Sequence, residues 1–99
     1  MLTKDDILNY LKQNKDIFKT KYYIIKLGLF GSFAREQQTE KSDIDIIVVY
    51  EQNTENLWDI ELEIKQAIED RFNRKVDVCT EKWIRPVFKN FVMNEAIYV

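Results

Sequence analysis

One stretch constrains this chain more than any other: Ile24 to Tyr50, which reads IIKLGLF, GSFARE, QQTEKS and DIDIIVVY. Ile24 to Phe30 is a largely apolar run that stops at Gly31, and Ile44 to Tyr50 is rich in Ile and Val. Short runs of this kind, bounded by turn residues, are strand signals. A Gly-Ser turn into a short helix and a polar loop, Gln37 to Ser42, join the two strands. Side chains alternate across a strand, so Asp43 and Asp45 share one face, with Cα atoms roughly 6–7 Å apart. Two carboxylates that close repel, and both ionise readily only with a cation between them. An all-oxygen, doubly anionic set suits Mg²⁺, which binds one or two carboxylates together with substrate phosphates. Gly31 lets backbone approach a ligand, the amides that follow can face an anion, Ser32 adds a hydroxyl and Arg35 a fixed positive charge. A phosphate cradle beside a carboxylate metal site is what phosphoryl or nucleotidyl transfer requires.

Composition narrows the chemistry. There is no histidine, which removes His-based triads, His general bases and most zinc sites. The lone Cys79 allows no internal disulfide, which fits a reducing compartment. The chain reads as one domain, residues 1–99, with 45% hydrophobic residues, enough for a modest core. No apolar run approaches the length of a membrane span and no signal-peptide pattern is present, so a cytoplasmic location is expected. Residues 1–42 carry 8 basic and 5 acidic side chains, net +3, and residues 43–74 carry 3 and 9, net −6. A basic nucleic-acid footprint is absent, and no direct nucleic-acid binding is expected.

The flanking segments supply the rest of an α/β fold. Thr3 can cap a first helix, with Asp5 and Asp6 in its first turn and Ile7, Leu8, Leu11, Ile17 and Phe18 as its apolar face. Strand one is expected over Tyr22 to Phe30, with Gly28 marking a bulge or a close backbone approach. Strand two, Asp43 to Tyr50, is apolar on both faces beyond the aspartates and should be central and covered on both sides. The loop before it reads as mobile. Asn53 or Thr54 should cap a helix over Glu55 to Asn73, whose core stripe is Leu57, Ile60, Ile64, Ala67 and Ile68. Trp58 and Leu62 lie off that stripe and could cover a second element or bind a partner, with burial against a second element expected. Lys75 to Cys79 reads as a short strand, with Val76 and Val78 on one face and Asp77 and Cys79 on the other. Pro86 fits the first turn of a last helix with Val87, Phe88, Phe91 and Val92 as its apolar face, and Ile97 to Val99 can form an edge strand.

Gly31-Ser32, ten residues, then Asp43-Ile44-Asp45 resembles the GS-x10-DxD signature of the DNA polymerase β-like nucleotidyltransferase superfamily. The small size, GSFAR and SDIDIIV are similar to its minimal nucleotidyltransferase (MNT) branch, the antitoxins of HEPN-domain toxins. Glu36 departs from the pattern, since a glycine is expected after the arginine. The resemblance covers nearly the whole chain, though its specific motif lies within Gly31 to Asp45. It implies an α/β (α+β) fold with a small mixed sheet and helices against it. It also implies two Mg²⁺ ions held by Asp43 and Asp45, with Asp77 as the third carboxylate. Gly31, Ser32 and Arg35 would hold the phosphates of ATP. The implied activity is transfer of AMP to a tyrosine of a cognate HEPN ribonuclease toxin, within a hetero-oligomer. Two alternatives remain open: an antitoxin that masks its toxin by binding alone, and a nucleotidyltransferase acting on a small hydroxyl-bearing molecule.

Overall fold

In the computed structural model, which describes residues Met1–Val99, the first helix, α1, spans Lys4–Tyr22. It begins in a capping box: Thr3 Oγ1 accepts from the Asp6 N–H at 3.2 Å, and Asp6 Oδ2 accepts from the Thr3 N–H at 3.0 Å. It ends where Tyr23 turns left-handed, at φ 58°. Tyr22 is therefore the last, buried residue of the helix rather than the first of strand one. Ile7, Leu8, Leu11, Phe18 and Tyr22 line the buried face. Ile17, expected among them, is exposed, because Phe18 rather than Ile17 lies a whole number of turns from Ile7.

The chain then forms β1 (Ile24–Phe30), a single helical turn α2 (Gly31–Ala34), β2 (Ile44–Tyr50), α3 (Leu57–Phe72) and β3 (Val76–Thr80). A 3-10 turn, Glu81–Trp83, leads to α4 (Pro86–Glu95) and β4 (Ile97–Tyr98). The sheet order is β3-β2-β1-β4, with β2 parallel to β3 and the other pairs antiparallel, so the sheet is mixed as expected. Residues opposite one another in a ladder share a face. Leu27, Leu29, Ile44, Ile46, Val48 and Val76 thus form one apolar surface, which meets the buried sides of α1 and α3 in a single core. Burying each of these side chains contributes about 1.5–3 kcal/mol, so this face carries most of the fold's stability. The other face bears Asp45, Asp77 and Cys79 and is only partly covered, although Ile47 within it is fully buried.

Three expectations about the helices are corrected. The cap of α3 is Asn56, left-handed at φ 58°, and not Asn53 or Thr54. Those two shape the preceding turn instead, Asn53 at φ 64° and Thr54 Oγ1 donating to the Glu51 carbonyl at 2.6 Å. Trp58 and Leu62 are not buried: Trp58 is 74% exposed, because α3 turns Ile60, Ile64 and Ile68 to the sheet and nothing covers its outer side. In α4, Pro86 occupies the first turn, but Val87, Phe88 and Phe91 stand in solvent and, of its apolar residues, only Val92 and Met93 are half-buried.

Gly28 marks a close approach, not a bulge; the ladder irregularity lies between Ile24 and Lys26. A Cβ at Gly28 would stand 2.9 Å from the Ile97 carbonyl oxygen, 3.0 Å from Tyr98 Cδ1 and 3.2 Å from Ile47 Cγ2. Gly28→Ala is expected to push β4 off β1 at a cost of about 1–3 kcal/mol. Lower melting together with faster exchange of the Val99 amide, which donates to the Leu27 carbonyl at 2.9 Å, would show it.

Candidate active site

The site lies where β1, β2 and β3 present their ends on the less covered face. Asp43 immediately precedes β2, and Asp45 is its second residue. The register sets Asp45 opposite Phe30 on one side and opposite Asp77 on the other. The Ile44 N–H fixes that register by donating to the Lys75 carbonyl at 2.9 Å. The start of β3 is held from α3, where Glu69 Oε2 accepts from the Val76 N–H at 3.0 Å. Asp45 and Asp77, far apart in sequence, are therefore lateral neighbours, and alternation places Asp43 on the same side.

The charges interact accordingly. Burial, followed by the negative charges of Asp77 and Asp43, pushes the Asp45 carboxyl up to about 6; Arg35 opposes this and Glu95 adds to it. No three Asp, Glu, Cys or His side chains converge closely enough to hold a metal ion unaided. The carboxylates form an open, anionic, all-oxygen set rather than a closed cage.

Gly31 has φ 77°, a left-handed conformation that favours glycine. A Cβ there would overlap Asp45 Oδ2 and come within 2.9 Å of Asp45 Cγ, so the carboxylate packs directly over the turn. Ser32 is half-buried at this turn, its carbonyl accepting from the Gln37 N–H at 2.9 Å. Arg35 reaches back, with Nε donating to Gln37 Oε1 at 3.1 Å and Nη1 to Glu95 Oε2 at 2.9 Å. Glu95 Oε1 accepts from the Gly31 N–H at 3.0 Å. Glu36, where a glycine would be ordinary, is also left-handed at φ 58° and is tied to Lys4 at 2.7 Å.

Two participants carry no local sequence signal. Glu95 is remote in sequence and arrives only because β4 pairs with β1. Arg74 lies over the Phe33 ring at 5.5 Å and donates through Nη1 to the carbonyls of Thr39 at 3.1 Å and Ser42 at 3.0 Å. Ser42 Oγ accepts from the Thr39 N–H at 2.8 Å. The loop expected to be mobile is thus tied at several points just before Asp43. Arg74→Ala is expected to lower stability by about 1–2 kcal/mol through the lost hydrogen bonds and ring contact. Amide exchange at Ser42 should quicken, while exchange in α1 should not.

Beside the carboxylates is a cleft of about 360 Å³, lined mainly by Phe30, Val78, Cys79, Trp83, Ile84 and Val92. Cys79 is half-buried, and burial, with the charges of Asp45, Asp77 and Glu61, pushes its thiol upward. A thiol so placed stays protonated and acts as a small apolar wall rather than a nucleophile. No helix is long and apolar enough to cross a membrane.

A family model described as "Nucleotidyltransferase domain" matches residues 11–99. A protein of Methanocaldococcus jannaschii, whose name assigns it provisionally as a protein adenylyltransferase, is 39% identical over 100 residues, covering all of both chains. Among solved structures, one described as a minimal nucleotidyltransferase superposes with a TM-score of 0.80 at 23% identity, covering 97% of this chain and 95% of its own. A toxin–antitoxin complex with AMP-PNP superposes with a TM-score of 0.67 at 23% identity, covering 98% of this chain and 72% of the other. At that identity the two structures speak for the fold.

Proposed function

Because the chain belongs to the nucleotidyltransferase domain family and is an enzyme of that kind, we propose that it is the antitoxin of a toxin–antitoxin pair and transfers AMP from ATP to a tyrosine hydroxyl of a HEPN-type ribonuclease toxin. The observation that carries the reading is the lateral pairing of Asp45 with Asp77, beside Asp43 and over the Gly31 turn. The name of the Methanocaldococcus relative supports protein as the acceptor, and the AMP-PNP-bound toxin–antitoxin neighbour supports an adenine nucleotide and a toxin partner.

The donor set fits Mg²⁺: hard, anionic, oxygen-only, and open enough for phosphate oxygens to complete the coordination. Asp43, Asp45 and Asp77 would hold two ions, which when bound neutralise the triphosphate and polarise the α-phosphate. The chain's own residues do the rest. Gly31, Ser32 and Arg35 hold the terminal phosphates, and the apolar cleft along Phe30 and Trp83 takes the adenine. The acceptor oxygen attacks the α-phosphorus in line; the bond to the bridging oxygen of pyrophosphate breaks and a tyrosyl phosphodiester forms. Asp77, exposed on the edge strand β3, would help to accept the hydroxyl proton from an acceptor approaching that edge. The modified tyrosine carries new negative charge and an adenosine, which obstruct a ribonuclease cleft by charge and bulk together.

The test is intact-mass spectrometry of the toxin after incubation with this protein, ATP and Mg²⁺. Additions of AMP that vanish in Asp43→Asn/Asp45→Asn are expected. Equal neutralisation by wild type and that variant, with no added mass, would establish masking by binding alone.

A further inference from the structure

The Gly31 amide and the Arg35 guanidinium, which the proposed function assigns to the triphosphate, are already engaged by one side chain. Glu95 spans them, one carboxylate oxygen on the Gly31 N–H at 3.0 Å and the other on Arg35 Nη1 at 2.9 Å. A carboxylate bridging a backbone amide and a guanidinium has the charge and the reach of two phosphate oxygens. The Glu95 side chain is 14% exposed, so this is an ordered seat rather than a surface encounter.

The seat is built by the sheet. β4 pairs with β1 through Gly28 with Tyr98 and Leu29 with Ile97. Continuing that register sets Glu95 opposite Gly31. The Ala96 N–H still donates to the Val92 carbonyl at 3.0 Å, so α4 runs regularly to its end. Glu95 is the last residue of α4 and lies outside the paired residues of β4, so its side chain is not itself part of the ladder. Asp45 lies close enough to Glu95 for the two negative charges to repel.

We infer that Glu95 is a latch, an internal anion that occupies the phosphate seat of the free protein and must swing out before a nucleoside triphosphate can bind. The inference rests on the nucleotide reading above. Apparent affinity is then the intrinsic affinity reduced by the fraction of molecules with the latch open. A latch and a support have opposite signatures. If Glu95 instead held Arg35 in place for the phosphates, removing it would weaken binding.

Calorimetry with Mg-ATP and with Mg-tripolyphosphate, on wild type, Glu95→Gln and Glu95→Ala, separates the two. Both variants are expected to bind both probes about three- to tenfold tighter, the range set by losing the contact to the partly exposed Arg35 together with the one to the Gly31 amide. Arg35→Ala should weaken binding and erase most of the gain when combined with Glu95→Gln. The near-isosteric Gln carries the test should Ala unfold, and melting curves establish that each protein is native. If wild type binds and the Glu95 variants bind equally or more weakly, the latch is wrong and the nucleotide reading stands. If neither wild type nor variant binds Mg-ATP, the nucleotide reading falls and takes the latch with it.

Discussion

Gly31→Ala is expected to abolish nucleotidyl transfer and to destabilise the protein by about 2–5 kcal/mol, the sum of a left-handed backbone cost and a steric one. The first arises because φ at Gly31 is 77°, where a Cβ meets its own carbonyl. The second arises because that Cβ would overlap Asp45 Oδ2. Asp45 cannot yield easily, since its backbone is held between β1 and β3. For a domain of this size each kcal/mol shifts melting by about 4–8 °C, so a drop of at least about 8 °C should appear in a thermal scan. Gly31→Ala/Asp45→Ala separates the two contributions. It removes the overlap but keeps the backbone strain, so it should recover part of the stability and none of the activity. A Gly31→Ala protein that melts within about 2 °C of wild type would mean that the turn is not bound to its aspartate as described.

The coupling of Gly31 to Asp45 shows what was legible in the sequence and what was not. The strands around Gly31 and Asp45 announce themselves because apolar runs bounded by turn residues reflect local backbone preference. The cap at Thr3 and the first-turn position of Pro86 are likewise local. The pairing of Asp45 with Asp77 depends on the β2–β3 register, which alternation restricts but which the Ile44-to-Lys75 hydrogen bond sets. Glu95 and Arg74 were invisible because their partners lie 64 and 32 residues away, respectively, at Gly31 and Ser42. The errors over Trp58, Leu62, Phe88 and Phe91 share another cause. An apolar side chain states a preference for burial, yet whether anything covers it depends on where neighbouring elements end. In this chain no element reaches the outer side of α3 or most of α4.

Asp45→Asn should abolish transfer and, in the metal-free protein, raise stability. Burial raises the Asp45 carboxyl most, the charges of Asp77, Asp43 and Glu95 add to it and only Arg35 opposes, so it is pushed up from 3.8 to about 6. A folded-state pKa above the unfolded value means that folding favours the protonated form. The resulting stability is fully present below about pH 3.8 and is lost as pH rises through about 6. Melting of the metal-free wild type should therefore fall across that window more steeply than melting of Asp45→Asn, which has no proton to lose there. At pH 7 the variant should be more stable by about 1–2 kcal/mol, a figure reduced for the solvent that reaches the side chain. With Mg²⁺ present the ordering should narrow or reverse, because the cation stabilises the ionised wild-type cluster and competes with the proton. Transfer should fall at least on the order of 100-fold, since losing a ligand exceeds losing an outer support of a metal site. A variant that melts below wild type at pH 7 without metal would show that Asp45 is held by favourable contacts rather than against repulsion. Such a cluster would have no electrostatic need for a cation, and the metal assignment would fail with it.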